Sequence, residues 1–389
     1  MSKQTPISRI RERVLWIGGS SGLGQTFFEE RGIRRDGENF ICTGVEPRAP
    51  LWLPDFAEYV QLDLTSIESV STLVARLPHK DIGTLILGAR MPLVGTDDHT
   101  SLLSHLGTLL DALIDAGVSK VLHVSSVAAV DHLRAQRGVN EDAPLPPLAE
   151  YAGEYDVFKR RSEEEITRVC EARGVLFTHV RLSAIFSNHP SCIQVSALAM
   201  QRRVGACLPC VLDCNSARNV CICLRLLLVE LEWQQRAEQG WIPVQRVYYY
   251  TRVHGGPVPY AQYLSAYRAA NDVWVAVCVP YFLVALLVAL VHVIVSGTPL
   301  RRIGRARAID YLLQVSSRDH FFDNTRIHED FPMLREYEEA PFKTFARIRL
   351  IREGGLWSAG GVTYRKWPVP LRALPEGASG ATRLHPWQL

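Results

Sequence analysis

Tyr155 and Lys159 sit four residues apart in the stretch Glu154-Tyr155-Asp156-Val157-Phe158-Lys159. On a helix this spacing puts both side chains on one face, a turn apart. A free tyrosine titrates near ~10 and is a poor base at neutral pH. An ammonium beneath the ring favours the phenolate and makes the tyrosine a usable proton acceptor or donor. The same spacing also fits a solvated helix face, so its meaning depends on what the rest of the chain supplies.

Ahead of the pair lies a pattern suited to a dinucleotide. Arg13 to Ile17 reads as a buried strand, followed by Gly18-Gly19-Ser20-Ser21-Gly22-Leu23-Gly24 and a helix-like Gln25 to Glu30. Gly18 permits the tight turn, Gly22 lets backbone approach a pyrophosphate, and Gly24 lets the helix pack closely. Ser20, Ser21 and Leu23 complete the loop, and the helix start faces the phosphates. An ordinary Gly-Ser turn is the alternative. A second strand, Phe40 to Val45, ends at Glu46, 22 residues after Gly24. A carboxylate there suits an adenosine ribose and selects NAD, while nearby Arg48 could accept the 2′-phosphate of NADP. Tyr59 to Leu64 reads as a third strand, with Asp63 and Leu64 at the adenine end. Thr84 to Gly88 is a fourth, running into Ala89-Arg90-Met91.

The elements that must position the pair follow. A helix from Ser101 to Ala116 closes on Gly117, and a fifth strand from Lys120 ends at Ser125 and Ser126. A proline-rich loop, Asn140 to Pro147, leads into the helix of Tyr155 and Lys159, which ends near Gly174. A sixth strand, Val175 to Ile185, passes through Ser183. Strands alternating with helices predict an α/β fold with a doubly wound parallel sheet of the Rossmann kind. The site then lies beyond the carboxyl ends of the strands, where Ser125 and Ser126 fall. The expected organisation is an arm at 1–12, a dinucleotide-binding domain at 13–190, a smaller substrate lobe at 191–353 and a flexible tail at 354–389.

Composition narrows the class. The chain has 389 residues, enough for one large domain with a subdomain or for two domains, and 47% are hydrophobic. A net charge of +3 is too small to argue for nucleic acid. The N-terminal stretch is polar and basic, without the apolar core of a secretory signal. Nine cysteines spread over this length read as reduced thiols facing the cytosol. Cys207, Cys210, Cys214, Cys221 and Cys223 cluster, but the second C-x-x-C of a zinc site is missing. They read as small buried hydrophobes, and no metal is expected.

Val273 to Ser296 contains no Asp, Glu, Lys or Arg. As one helix at ~1.5 Å per residue it is long enough to span a bilayer. Arg301, Arg302, Arg305 and Arg307 follow and place that side in the cytosol. Both ends of the chain then belong on the same side. The expectation is therefore a membrane-associated helix that enters as a hairpin or lies at the interface, with Pro280 as a kink.

Glycine loop, Asp63, paired serines and Y-x-x-x-K, in this order over about residues 13 to 190, resemble the extended short-chain dehydrogenase/reductase family. Gly107-Thr108 followed by Leu109-Leu110-Asp111-Ala112 and Gly117-Val118 resembles its 3β-hydroxysteroid dehydrogenase branch, which includes the sterol-4α-carboxylate 3-dehydrogenases. The late apolar segment and the stretch from Arg318 to Tyr337 are also similar to that branch. Ser21, Ser104, Leu182 and Phe186-Ser187-Asn188 depart from the family pattern.

The resemblance implies Tyr155 as general acid/base, Lys159 as its electrostatic partner and nicotinamide-ribose ligand, and Ser126 on the substrate oxygen, with Ser125 as fallback. Gly18, Gly22 and Gly24 would cradle pyrophosphate, with Glu46 and Asp63 toward the adenosine, and Leu64, Ala89, Ser183 and Ile185 as further cofactor-binding residues. The implied reaction is oxidation of a sterol or steroid 3β-hydroxyl by NAD (or NADP), with decarboxylation or isomerisation open. The implied setting is an endoplasmic-reticulum membrane with a cytosol-facing site. Membrane lipid is the expected partner, and a second copy in a homodimer is a further one. Rivals are a ketoreductase resembling dihydroflavonol reductases and a regulator that binds NAD(P) without turnover. The apolar segment argues against the first, and the intact Tyr155 and Lys159 against the second.

Overall fold

A computed structural model describes residues 13–29, 39–76, 82–88, 96–130, 133–151, 153–186, 204–207, 210–236, 246–253, 255–262, 265, 275–339, 351–353, 356–359 and 362–365. The apolar runs form the strands β1 (Arg13–Ile17), β2 (Phe40–Gly44), β3 (Ala57–Gln61), β4 (Ile82–Leu87) and β5 (Lys120–Ser126). Between them lie the helices α1 (Gly22–Glu29), α2 (Ile67–Arg76) and α3 (Thr96–Asp115). After β6 (Gln136–Val139) come α4 (Glu154–Arg173), β7 (Leu176–Leu182), β8 (Ala184–Phe186), β9 (Val204–Cys207) and β10 (Cys214–Ser216). Then follow α5 (Ala217–Arg236), β11 (Val247–Tyr249), β12 (Val275–Cys278), α6 (Tyr281–Gly297), α7 (Gly304–Ser316) and β13 (His320–Phe322).

The main sheet has seven strands in the order β11-β7-β5-β4-β1-β2-β3. All its pairings are parallel. Strand order therefore reverses between β1 and β4, which makes the crevice at their carboxyl ends the natural ligand position. Parallel strands covered on both faces are apolar throughout, as Val14, Leu15, Trp16 and Ile17 are, each nearly inaccessible. One face packs α2, α3 and α4 through Leu109, Leu113, Ile166 and Val169. The other packs α1 and α5, where Trp16, Phe27, Phe28 and Phe40 meet edge to face. Such contacts add to the area they bury and pin α1 against β1 and β2.

Several boundaries differ from expectation. The sixth predicted strand is broken: β7 stops at Leu182, and Ala184–Phe186 leaves the sheet to pair with Cys214–Ser216. The Ser183 hydroxyl donates to the Thr251 carbonyl at 2.6 Å, which holds the chain at this change of direction. The sheet then takes its seventh strand, β11, from within the stretch expected to form the substrate lobe. β13 pairs with β6, beside the loop that leads to Tyr155. Leu356–Ala359 and Val362–Arg365 form antiparallel strands with Ile351–Glu353, within and next to the stretch expected to be a flexible tail. The glycine pairs Gly354-Gly355 and Gly360-Gly361 between them in the sequence are hairpin punctuation. Cys210, Cys214, Cys221 and Cys223 are buried and form no disulfide.

The apolar stretch Val273 to Ser296 is not one helix. Val275–Cys278 is a strand paired with Val204–Cys207, and Pro280 stands at the entrance of α6, where a missing amide hydrogen costs nothing. α6 has 17 residues, and among the described residues no helix is long and apolar enough to cross a membrane. Val284, Val288 and Val295 turn inward, and His292 Nδ1 lies 2.9 Å from Asp310 on α7. Phe282, Leu283, Leu286, Leu287, Leu290, Val293 and Ile294 are exposed.

Candidate active site

α4 starts at the end of a loop and has Gly153 as its N-cap, with Glu154 and Asp156 in its first turn, where acidic groups complement the helix dipole. It ends at Gly174, whose left-handed φ of 64° closes the helix as a C-cap. Tyr155 is half-buried and Lys159 is buried one turn further on, with its Nζ 5.8 Å from the centre of the tyrosine ring. The predicted pair is therefore brought together on one helix face.

Two neighbours were not legible in the sequence. Tyr311 of α7 packs edge-on against Tyr155 with ring centres 6.3 Å apart, and its hydroxyl donates to Asp156 Oδ1 at 2.6 Å. Arg307, one turn earlier on α7, pairs with Glu154 at 2.8 Å. Together they fix the first turn of α4 from the far side of the chain. Only their distance in sequence, more than 150 residues, hid them.

The serine doublet divides, because neighbouring strand residues point to opposite faces. Ser125 is buried and donates to Glu163 Oε1 at 2.6 Å. Ser126 is half-buried at the strand end, and its Oγ accepts the Ala128 amide at 3.2 Å. Of the two, Ser126 stays at the mouth of the sheet, and Ser125 is committed to a network beneath it.

Behind the pair, Glu163 is held bidentately by Arg181 of β7, at 3.0 and 2.7 Å. Burial alone would raise the Glu163 carboxyl. The guanidinium, with hydrogen bonds from Arg181 and Ser125, outweighs it and brings the group down to about 2. Arg181 also donates to the Tyr249 hydroxyl at 2.9 Å. Below this level His123 and His179 meet Nδ1 to Nδ1 at 3.0 Å, and His179 Nε2 lies 3.0 Å from the Thr167 hydroxyl. Burial lowers His179 to about 4 and drives His123 well down, with the neighbouring His179 and Lys159 adding to the latter effect.

The glycine loop sits at the carboxyl end of β1. Gly18 has φ 82°, a left-handed turn that a side chain resists. A Cβ on Gly24 would stand 1.9 Å from the Gly19 carbonyl oxygen, so only glycine permits this helix-to-turn approach. Gly22 opens α1, and Ser20, Ser21 and Leu23 are half-buried around it. Glu46 lies just past β2, half-buried, and its carbonyl accepts the Tyr59 hydroxyl at 2.6 Å. Asp63 is exposed two residues past β3, and its carboxylate caps the turn into α2 by accepting from the Thr65 amide and hydroxyl. The Leu64 carbonyl lies 3.2 Å from His105 Nδ1. Ser183 and Ile185 lie where β7 gives way to β8, the latter in the separate two-stranded sheet. Ala89 lies outside the described residues.

A parallel sheet with a glycine turn at its reversal point places a ligand crevice at the carboxyl ends of its strands. No family model matches the sequence, and no curated protein sequence matches it. Solved structures do. The terminal R domain from the myxalamid PKS-NRPS pathway superposes with a TM-score of 0.62 at 14% identity, over 88% of this chain and 90% of that one. A short-chain dehydrogenase/reductase superfamily protein from Agrobacterium tumefaciens with bound NAD gives 0.57 at 14%, over 86% and 95%. UDP-N-acetylglucosamine 4-epimerase from Bacillus cereus gives 0.56 at 12%, over 86% and 97%. At these identities the likeness establishes the fold.

Proposed function

We propose that the chain is an NAD-dependent oxidoreductase in which Tyr155 exchanges a proton with a hydroxyl or carbonyl oxygen of the substrate. The observation that carries this reading is Lys159 lying 5.8 Å from the Tyr155 ring on a buried helix face, beside a sheet whose glycine turn admits no side chain at Gly24. Gly18, Ser20, Ser21, Gly22, Leu23 and Gly24 would hold the pyrophosphate of the dinucleotide, with Glu46 at its ribose. The bound dinucleotide supplies the two-electron acceptor for the substrate carbon. Lys159 places its side-chain nitrogen 5.8 Å from the centre of the phenol ring. Tyr155 then takes the hydroxyl proton, and Ser126 donates to the substrate oxygen and orients it. Tyr311 and Asp156 keep the phenol ring from turning away. The structure that holds NAD and shares this fold supports NAD as the dinucleotide.

For the substrate we infer a lipophilic secondary alcohol, of the 3β-hydroxysteroid or sterol class. The support is α6, whose exposed arc is apolar and which packs on α7, the helix that touches Tyr155 through Tyr311. An apolar arc followed directly by Arg301, Arg302, Arg305 and Arg307 suits a helix lying in the surface of an anionic bilayer. A site two contacts from that surface receives substrates that partition into lipid. The decisive experiment is cofactor reduction by the purified protein against Δ5-3β-hydroxysteroids, 4α-carboxysterols and sugar nucleotides, with NAD and NADP compared. Reduction of NAD with a sterol is expected. Turnover of sugar nucleotides alone would overturn the substrate class and keep the chemistry.

A further inference from the structure

Every fourth residue of the inner face of α4 is polar: Tyr155, Lys159, Glu163 and Thr167. Such a stripe normally faces water. Here its lower part faces Ser125 and His123 on β5 and Arg181 and His179 on β7, and Lys159, Glu163, Ser125, His123, His179 and Arg181 are all nearly inaccessible. The charged groups in it are Lys159, Glu163 and Arg181. Glu163 and Arg181 pair with each other, which leaves the ammonium under the tyrosine as the remaining charge of this stripe among the described residues.

We propose that the buried Glu163–Arg181 pair is a charge-balancing device that keeps the Lys159 ammonium available to Tyr155 and so sets the proton affinity of the tyrosine. A lone carboxylate one turn below Lys159 would be drawn to that ammonium and would neutralise its effect on the phenol. The bidentate guanidinium and the Ser125 hydroxyl occupy both carboxylate oxygens and prevent this. Of the other titratable groups around the pair, the Tyr249 hydroxyl accepts from Arg181 itself. On α4, Asp156 accepts from Tyr311, Glu154 pairs with Arg307, and Arg160 pairs with Glu164. On the strands, His123 and His179 are held neutral by burial. Glu163 and Arg181 also act on these two imidazoles, which burial keeps neutral at the alkaline pH where phenols titrate. The inference rests on Tyr155 as the proton-transfer group and needs no knowledge of the substrate. Glu163 and Arg181 act through Lys159 and are positioning residues.

The test follows ionisation of Tyr155 by its ultraviolet phenolate absorbance, as the difference between each protein and the same protein carrying Tyr155→Phe. Glu163→Gln leaves the guanidinium unbalanced, and the Tyr155 midpoint is expected to move to lower pH by about one unit. Arg181→Gln leaves a carboxylate that is ionised at the alkaline pH where phenols titrate, and the midpoint is expected to move up by about as much. Ser125→Ala keeps the pair and the fold, and removes one donor from Glu163. It is expected to move the midpoint up by a few tenths of a unit, and it decides the matter if thermal melts show the other two variants unfolded. Shifts of one sign in both charge variants, or no shift in any folded variant, would overturn the proposal. A loss of packing alone would not move the two midpoints in opposite directions. Opposed shifts in a protein that reduces no cofactor with any alcohol would sink the proposed function and leave this balance standing.

Discussion

α4 turns Lys159, Glu163 and Thr167 toward the sheet, whereas α6 turns Phe282, Leu286, Leu290 and Val293 away from the protein. Each departs from the usual partition of a helix, α4 by burying polar groups beside its apolar Ile166 and Val169, and α6 by exposing apolar ones. The departures are sustained differently. On α4, Glu163 is met at hydrogen-bond distance by Arg181 and Ser125, and Thr167 by His179, so their desolvation is offset locally. On α6 nothing within the described chain covers the arc, so its water contact persists until something else does. A buried charge needs its partners inside the same molecule, while an exposed apolar face points to an occupant outside it. α7 joins the two, holding Asp156 through Tyr311 and His292 through Asp310.

The comparison breaks first at Tyr155. Tyr155→Phe keeps the ring and its packing on Tyr311 and removes the proton carrier. Turnover is expected to fall on the order of 10³-fold, while NAD binding, read by fluorescence titration, stays within about twofold. Retained turnover would remove the mechanism. On the other helix, Leu286→Glu with Leu290→Glu places two charges in the exposed arc. Binding of the full chain to anionic vesicles, measured by co-sedimentation, is expected to drop more than about tenfold with circular dichroism unchanged. Equal binding by both proteins would take lipid out of the reading.

Stability separates the helices as well. Glu163→Ala leaves Arg181 buried without its counter-ion and is expected to lower unfolding free energy by about 3–5 kcal/mol in urea titrations. Leu290→Ser, on the exposed arc, is expected to change it by less than about 0.5 kcal/mol. A further effect is graded with pH. The folded-state imidazole of His179 is pushed down from 6.5 to about 4, so between those values the unfolded chain binds the proton first. Stability is full above 6.5 and is lost as pH falls toward 4, by on the order of 3 kcal/mol from this group. Glu163, with its carboxyl lowered from 4.5 to about 2, continues the loss from 4.5 downward. Melting temperatures from pH 7 to 4 check this, and His179→Gln should flatten the upper part of the slope.

Much of the fold was legible because its signals are local. β1, the glycine loop and β5 fall where the apolar runs and turn residues place them. Tyr155 and Lys159 share a face because a helix period demands it. The doublet of Ser125 and Ser126 was ambiguous, since both occupy a strand end and only the pleat assigns one of them to Glu163. Val273 to Ser296 misled for a related reason. Hydropathy measures the absence of charge, and a paired strand, a proline and an exposed helix are all uncharged. Nothing in the stretch itself says that Val204–Cys207 is waiting to pair with Val275–Cys278.

By itself the sequence determined a parallel α/β sheet, a turn that suits a dinucleotide and a tyrosine one turn above a lysine, because each follows from the residues within a few positions of it. The tertiary structure alone decided that Arg181 neutralises Glu163, that Tyr311 braces Tyr155, and that α6 lies outside the core with its apolar arc uncovered by the described chain. Those depend on which distant segments meet, and a charge or an apolar face acquires its meaning only from what stands within hydrogen-bond or van der Waals reach of it.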